Sequence, residues 1–288
     1  PLRRAYREVG IAQSRIGAAA LALATAAFPS TASAQHGAGH GAAAAPAAGG
    51  PAAPGANAPP AEAVGEHAGH SPLYFGAVLL DQNEVRSTGR GSPFYALEGL
   101  AYYGTDYHRV WVNARGETNR DRGGLERAEL QVLYSRLLAY YWDVQAGVRH
   151  DFRIDPREGT PARTYGMVAL QGLAPGFFEV QLQAFFGEGG VALARAAASY
   201  DILITNRLVL QPEFELNFAS GWDRDALIAP GLYRTEIGLR LRYEMTREFA
   251  PYIGYSFESL TGGATGLTRR LGEKPSQSTV VAGIRIFF

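Results

Sequence analysis

Four histidines near the start of the chain stand in two short pairs, His36-Gly-Ala-Gly-His40 and His67-Ala-Gly-His70. Imidazole nitrogens bind copper, zinc and nickel, and these spacings on a flexible chain let two rings close on one ion. Similar pairs also arise by chance in a Gly/Ala-rich stretch, so they mark a candidate metal site and no more. There is no cysteine, which removes thiolate metal sites, disulfides and Cys nucleophiles. The other two histidines are His108 and His150. Outer-membrane phospholipases place a Ser and a His on a barrel exterior, but here Ser135 and Ser199 have no evident link to either imidazole. No G-x-S-x-G motif occurs, and the chain reads as a non-enzyme.

A second set of chemistry-bearing residues is larger and periodic. Arg109, Arg115, Glu117, Arg127, Glu129, Asp143, Arg149, Asp151, Arg163, Glu179, Arg195, Asp201, Arg207, Glu213, Glu215, Arg234, Glu236, Arg240, Arg242, Glu244 and Arg285 recur on one face of extended segments. Apolar residues occupy the other face. From Asn206, Leu208, Leu210, Phe214, Leu216 and Phe218 alternate with Arg207, Gln211, Glu213, Glu215 and Asn217. Such a pattern fits a membrane barrel with one face toward lipid and the other toward a polar lumen. The charged face then has two readings: Arg–carboxylate ladders that fill and stiffen a narrow barrel, or a polar path for ions.

Period-two alternation sets the elements that must carry these residues. Strands are predicted near 73–86, 94–104, 107–118, 124–137, 141–153, 162–173, 176–187, 192–203, 206–219, 232–246, 249–260 and 277–288. The result is an all-β fold, a transmembrane antiparallel up-and-down barrel of about twelve strands, preceded by a disordered tail. The last strand, Gln277 to Phe288, is apolar on one side, carries Arg285 on the other and ends on an aromatic residue, like the closing strand of an outer-membrane barrel. Turns near 104–106, 138–140 and 174–175 are short, whereas 219–231 and 261–276 are long. Short turns are therefore expected at the periplasm and long loops outside. Pro212 sits on an apolar face and needs a bulge or an unpaired position. A soluble sandwich or lipocalin-like barrel would show the same period with its apolar faces turned inward.

Upstream, residues 1–34 read as a secretory signal peptide. Arg3, Arg4, Arg7 and Arg15 precede a short apolar run, and Ala32-Ser33-Ala34 forms an A-x-A cleavage site. Residues 35–72, rich in Ala, Gly and Pro, bury too little apolar surface to offset ordering entropy and are expected to be disordered. The barrel domain is residues 73–288. No segment reaches the roughly 20 apolar residues of a membrane-spanning helix. The whole chain has 27 basic and 27 acidic residues, and the leader holds four Arg and one Glu. The remainder therefore carries 23 against 26, which disfavours nucleic-acid binding. Tyr102, Tyr103, Tyr107, Trp111, Tyr140, Tyr141, Trp142, Phe177, Phe178, Trp222, Tyr243 and Phe288 are read as an interfacial aromatic girdle.

Several longer matches carry a family resemblance across roughly 94–288. They include Tyr103-Gly-Thr-Asp-Tyr107, Glu126-Arg-Ala-Glu-Leu-Gln-Val-Leu-Tyr-Ser-Arg136, Trp142-Asp-Val-Gln-Ala-Gly-Val-Arg149, Tyr200-Asp-Ile-Leu-Ile-Thr-Asn-Arg-Leu-Val-Leu-Gln-Pro212 and Gly238-Leu-Arg-Leu-Arg-Tyr-Glu244. In these the chain resembles the copper resistance protein B family, outer-membrane proteins of bacterial copper resistance systems. The resemblance implies a protein that binds copper, as Cu(I) or Cu(II), and/or helps remove it from the periplasm. Under it His36, His40, His67 and His70 become candidate copper ligands, with no organic cofactor. Family members typically carry a Met- and His-rich N-terminal segment, and residues 35–72 here have the histidines without a methionine. Thioethers suit Cu(I), so this departure puts Cu(I) sequestration by the tail in doubt. Implied partners are outer-membrane lipid and periplasmic copper-resistance proteins, with the barrel itself a monomer. The alternative is a structural or general porin-like barrel linked only indirectly to copper.

Overall fold

The computed structural model describes residues 73–89, 92–118, 125–152, 162–187, 190–272 and 274–288. The signal-peptide and tail segments, with His36, His40, His67 and His70, lie outside the described residues.

Thirteen strand segments run in chain order: β1 Phe75–Ser87, β2 Phe94–Gly104, β3 His108–Thr118, β4 Leu125–Ala139, β5 Trp142–Asp151, β6 Arg163–Ala174, β7 Phe178–Gly187, β8 Ala192–Ser199, β9 Ile202–Leu203, β10 Leu208–Ala219, β11 Gly231–Tyr243, β12 Phe249–Leu260 and β13 Ser276–Phe287. Each pairs antiparallel with its neighbours. β13 returns to β1, and β10 pairs with β11, so the sheet closes on itself. β8 and β9 both lie along β10 and form one interrupted stave, giving a twelve-stave barrel.

Local chemistry explains the interruption. β8 stops at Ser199 and β9 begins at Ile202, opposite Pro212 of β10. The Tyr200 amide donates to the Pro212 carbonyl at 3.2 Å, so Pro212 turns its nitrogen toward this stave as well. Proline has no N–H to give, and the ladder breaks where that donor is missing. On its other side Pro212 stays in register with Leu239.

The structure also decides which face is inside. Val112, Val132 and Val148 are cross-strand neighbours on the exterior, as are Phe214 and Ile237, and Leu239 and Tyr255. All are exposed. A soluble protein rarely leaves so extensive an apolar surface in water. A closed barrel leaves no unpaired edge to lipid, so its wall can stand in a bilayer. The lipocalin-like alternative, with its apolar faces inward, is excluded.

β1 corrects the simple odd–even reading. Its pairing with β2 steps from Leu80↔Gly99 to Gln82↔Glu98, leaving Asp81 as an extra residue. Ala77 faces inward before this bulge, and Glu84 and Arg86 face inward after it. One inserted residue moves every later side chain to the opposite face.

The long segment expected at 261–276 carries a helix, α1, Gly262–Arg270. Ala264 and Thr268 are its buried residues. Trp222 and Ala229 of the 220–230 segment press against Gly263, where a side chain would overlap both. Loop and helix thus pack together beside the long-loop end of β11.

Candidate functional site

Inward-facing side chains of the strands meet across the barrel and form two charged chains. In the first, Arg115 bridges Glu98 at 2.7 Å and Glu215 at 2.8 Å. Arg195 reaches Glu215 at 3.5 Å and grips both Glu129 oxygens at 3.1 and 3.0 Å. Arg149 then joins Glu129 at 2.9 Å to Asp151 at 2.7 Å. Seven charges from β2 to β10 form one continuous ladder. Paired guanidinium forks of this kind fix geometry as well as charge.

The second chain is centred on Glu84, whose side chain is fully buried. Arg240 donates to both of its oxygens at 3.1 and 3.0 Å and also contacts Glu213. Arg86 donates to Glu84 at 2.7 Å, and the Tyr252 hydroxyl donates to the other Glu84 oxygen at 2.9 Å. Arg86 continues to Glu236 at 3.2 Å, and Arg234 joins Glu236 to Glu258, the latter at 2.9 Å. Neither chain leaves a buried carboxylate without a cation, which is the condition for tolerating charges out of water.

Between the charges runs an apolar row. Trp111, Leu133, Gly147, Met167, Phe185, Leu193 and Ala219 are successive cross-strand partners from β3 to β10. Apart from Gly147 they form one buried cluster, joined by Ile228 from the long-loop end. Gly147 is the close approach in the row, since a Cβ there would lie 2.0 Å from the Val132 carbonyl oxygen. Arg149 and Arg195 lie over the Phe185 ring at 4.7 and 5.5 Å, so the two fillings touch. Leu133 and Phe185 are 1% exposed, and a water-filled channel would not hide its lining in this way. At the short-turn mouth a cavity of about 100 Å³ opens between Arg242, Glu244, Arg247, Glu248 and Arg285.

Of the expected charged face, the strand residues point into the lumen as predicted. Arg207 does not, since it lies exposed in the turn before β10. Asp201 and Glu244 lie just beyond strand ends but reach Arg242 at 2.7 and 3.3 Å. Sequence reading missed Glu84 and Arg86 because the Asp81 bulge breaks the alternation of the first strand, and it also missed Glu98 of β2, which shares its parity with buried Phe94 and Ala96. The aromatic girdle needs one correction. Tyr102 and Trp111 face inward and stack at 4.9 Å. Trp111 shares its face with Arg109 and Asn113, and that parity was the available signal. Tyr103, Tyr107, Tyr140, Tyr141, Phe177, Phe178, Trp222, Tyr243 and Phe288 are exposed.

Ser135 faces the lumen, whereas His108 and His150 face outward and contact Tyr134 and Thr164. Ser199 lies near Glu179. No Ser–His pair forms among the described residues. Nor do three or more His, Asp or Glu side chains group there to hold a metal ion.

A family model described as "Copper resistance protein B precursor (CopB)" matches residues 74–288. A copper resistance protein B from Escherichia coli is 42% identical over 222 residues, covering 77% of this chain and 72% of the relative. A copper resistance protein B homolog from Pseudomonas syringae pv. tomato is 36% identical over 226 residues, covering 77% and 74%. Among solved structures, the NanC porin superposes with TM-score 0.48 at 17% identity, over 74% of this chain and 99% of that one. The KdgM porin gives 0.44 at 10% identity, over 74% and 99%.

Proposed function

This chain belongs to the copper resistance protein B family, and from that premise we propose that it captures copper on the segment preceding the barrel and so relieves the periplasm. The family and the closed barrel with its apolar exterior place the chain in the outer membrane with a role in copper resistance. The observation that carries the finer reading is the packed lumen. The carboxylates of its two charged chains are held by arginines at hydrogen-bond distance, so an incoming cation there would have to displace built ion pairs. Four of the six histidines instead precede the barrel, in the pairs His36/His40 and His67/His70. Imidazole accepts copper without breaking any contact described above.

In this reading copper is cargo. The two His pairs hold it as Cu(II), or as Cu(I) with weaker fit, since no thioether is at hand. The monomeric barrel anchors the segment at the short-turn end, where β1 begins, which is the periplasmic end. There the ion can be passed to or from periplasmic copper-resistance proteins. A general porin role is disfavoured by the apolar row and paired charges across the lumen.

The test is copper stoichiometry on the refolded mature protein and on a version lacking residues 35–72, under oxidising and reducing conditions. The reading expects copper on the intact protein and its loss with the segment. Equal binding by both would place the ligands in the barrel and overturn it. Binding by neither would end the capture model and leave a passive structural role.

A further inference from the structure

Every arginine in the described strands except one turns into the lumen. The exception is Arg136 of β4, which alternates onto the exterior with Val132 and Tyr134 and is exposed. It forms no ion pair among the described residues. Directly across the strand pair stands His108, also outward-facing and exposed. The His108 ring stacks on Tyr134 at 5.9 Å and its Nδ1 meets the Tyr134 hydroxyl at 2.5 Å, leaving Nε2 for another partner. Asp106, the acidic residue of the adjoining turn, pairs with neither group among the described residues.

Depth tells what the partner is. Tyr103, Val110 and Tyr134 are cross-strand neighbours, and both tyrosines are exposed, so they sit in the aromatic belt where rings meet lipid head groups. Arg136 and His108 lie one step nearer the short-turn end. Beyond them Leu138, Tyr140 and Tyr141 are exposed. A cation on a lipid-facing wall is tolerated near the interface, where anionic head groups supply the missing counter-charge.

We propose that Arg136 and His108 form a binding site for the phosphate of an anionic phospholipid, such as phosphatidylglycerol, in the leaflet at the short-turn end. Arg136 supplies two parallel N–H donors to the phosphate oxygens. His108 adds a donor from Nε2, with Tyr134 fixing the ring. A zwitterionic head group fits less well, because no paired carboxylate waits there for its ammonium.

The experiment uses the mature protein folded in detergent micelles, with folding checked by heat-modifiable gel migration. Short-chain phosphatidylglycerol is titrated and bound lipid counted by native mass spectrometry. Wild type is expected to hold one lipid at least about tenfold more tightly than Arg136→Gln, the scale of a lost charge-assisted contact. His108→Gln should weaken it less, and phosphatidylethanolamine should bind wild type more weakly. Arg247→Gln, which removes an exposed charge at the same end, should leave binding unchanged. Equal affinity of wild type and Arg136→Gln would overturn the proposal. So would equal losses in Arg136→Gln and Arg247→Gln, which would reduce the effect to general charge. Displacement by inorganic phosphate as readily as by soluble lipid would also overturn it, because the site would then not be one for lipid.

Discussion

The lumen is filled in two ways. From β3 to β10 runs the apolar row of Trp111, Leu133, Met167, Phe185 and Leu193, whereas around Glu84 the space is taken by Arg86, Arg240, Glu213 and Tyr252. Both regions come from the same inward parity of the same sheet. Apolar packing is non-directional and gains with each contact, so partial loss leaves a void. The charged region is conditional, because each group is tolerated only while its partners remain. The barrel interior therefore combines a filling that degrades gradually with one that fails when a single member is removed.

Mutations that break one region at a time sharpen this contrast. Arg240→Ala should have the largest effect, because it takes both Arg240 contacts from Glu84, whose side chain is fully buried and is then left with Arg86 and Tyr252, and removes a contact of Glu213. Losing one partner of a buried pair costs about 3–5 kcal/mol. Urea unfolding in lipid vesicles should show it, and a loss below about 1 kcal/mol would mean that water already reaches Glu84. Leu133→Ala comes next, at roughly 2–5 kcal/mol for the missing side chain and the cavity. The two sites share no partner in the contacts above, so the double variant should be additive within about 0.5 kcal/mol. A larger deviation would show that the two regions act as one unit.

The smallest effect is expected at Ser135. Its hydroxyl is fully buried and has no hydrogen-bond partner among the described residues. Ser135→Ala should be neutral or slightly stabilising, within about 0.5 kcal/mol, because it removes an unsatisfied group and little volume. A clear destabilisation in the same urea assay would show that the hydroxyl has a partner in the folded barrel.

Much of this was legible in the chain before folding was considered. The alternation in β10 and β11 gave strands, faces and approximate limits, and the charged residues on it do line the lumen. Pro212 was marked for an irregular position, and the β8–β9 break answers it. Three features were not legible, each for a physical reason. The Asp81 bulge shifts parity through pairing with β2, so no window of β1 alone reveals Glu84. Trp111 was read by residue type rather than by its shared face with Arg109. Helix α1 takes its packing from Trp222 and Ala229, some forty residues earlier in the chain. The histidine pairs lie outside the described residues, and their role rests on the copper experiment.

By itself the sequence determined what depends on neighbours along the chain: the period, the membrane-compatible class, and the separation of charged from apolar faces. Period two is a property of the extended backbone and needs no partner to be read. Only the tertiary structure decided which face is inside, because inside exists only once β13 has closed on β1. It alone decided the pairing of Glu84 with Arg240, 156 residues apart, and the assembly of an apolar row from single residues on separate strands. Those contacts depend on register and closure, which are set by the whole sheet at once.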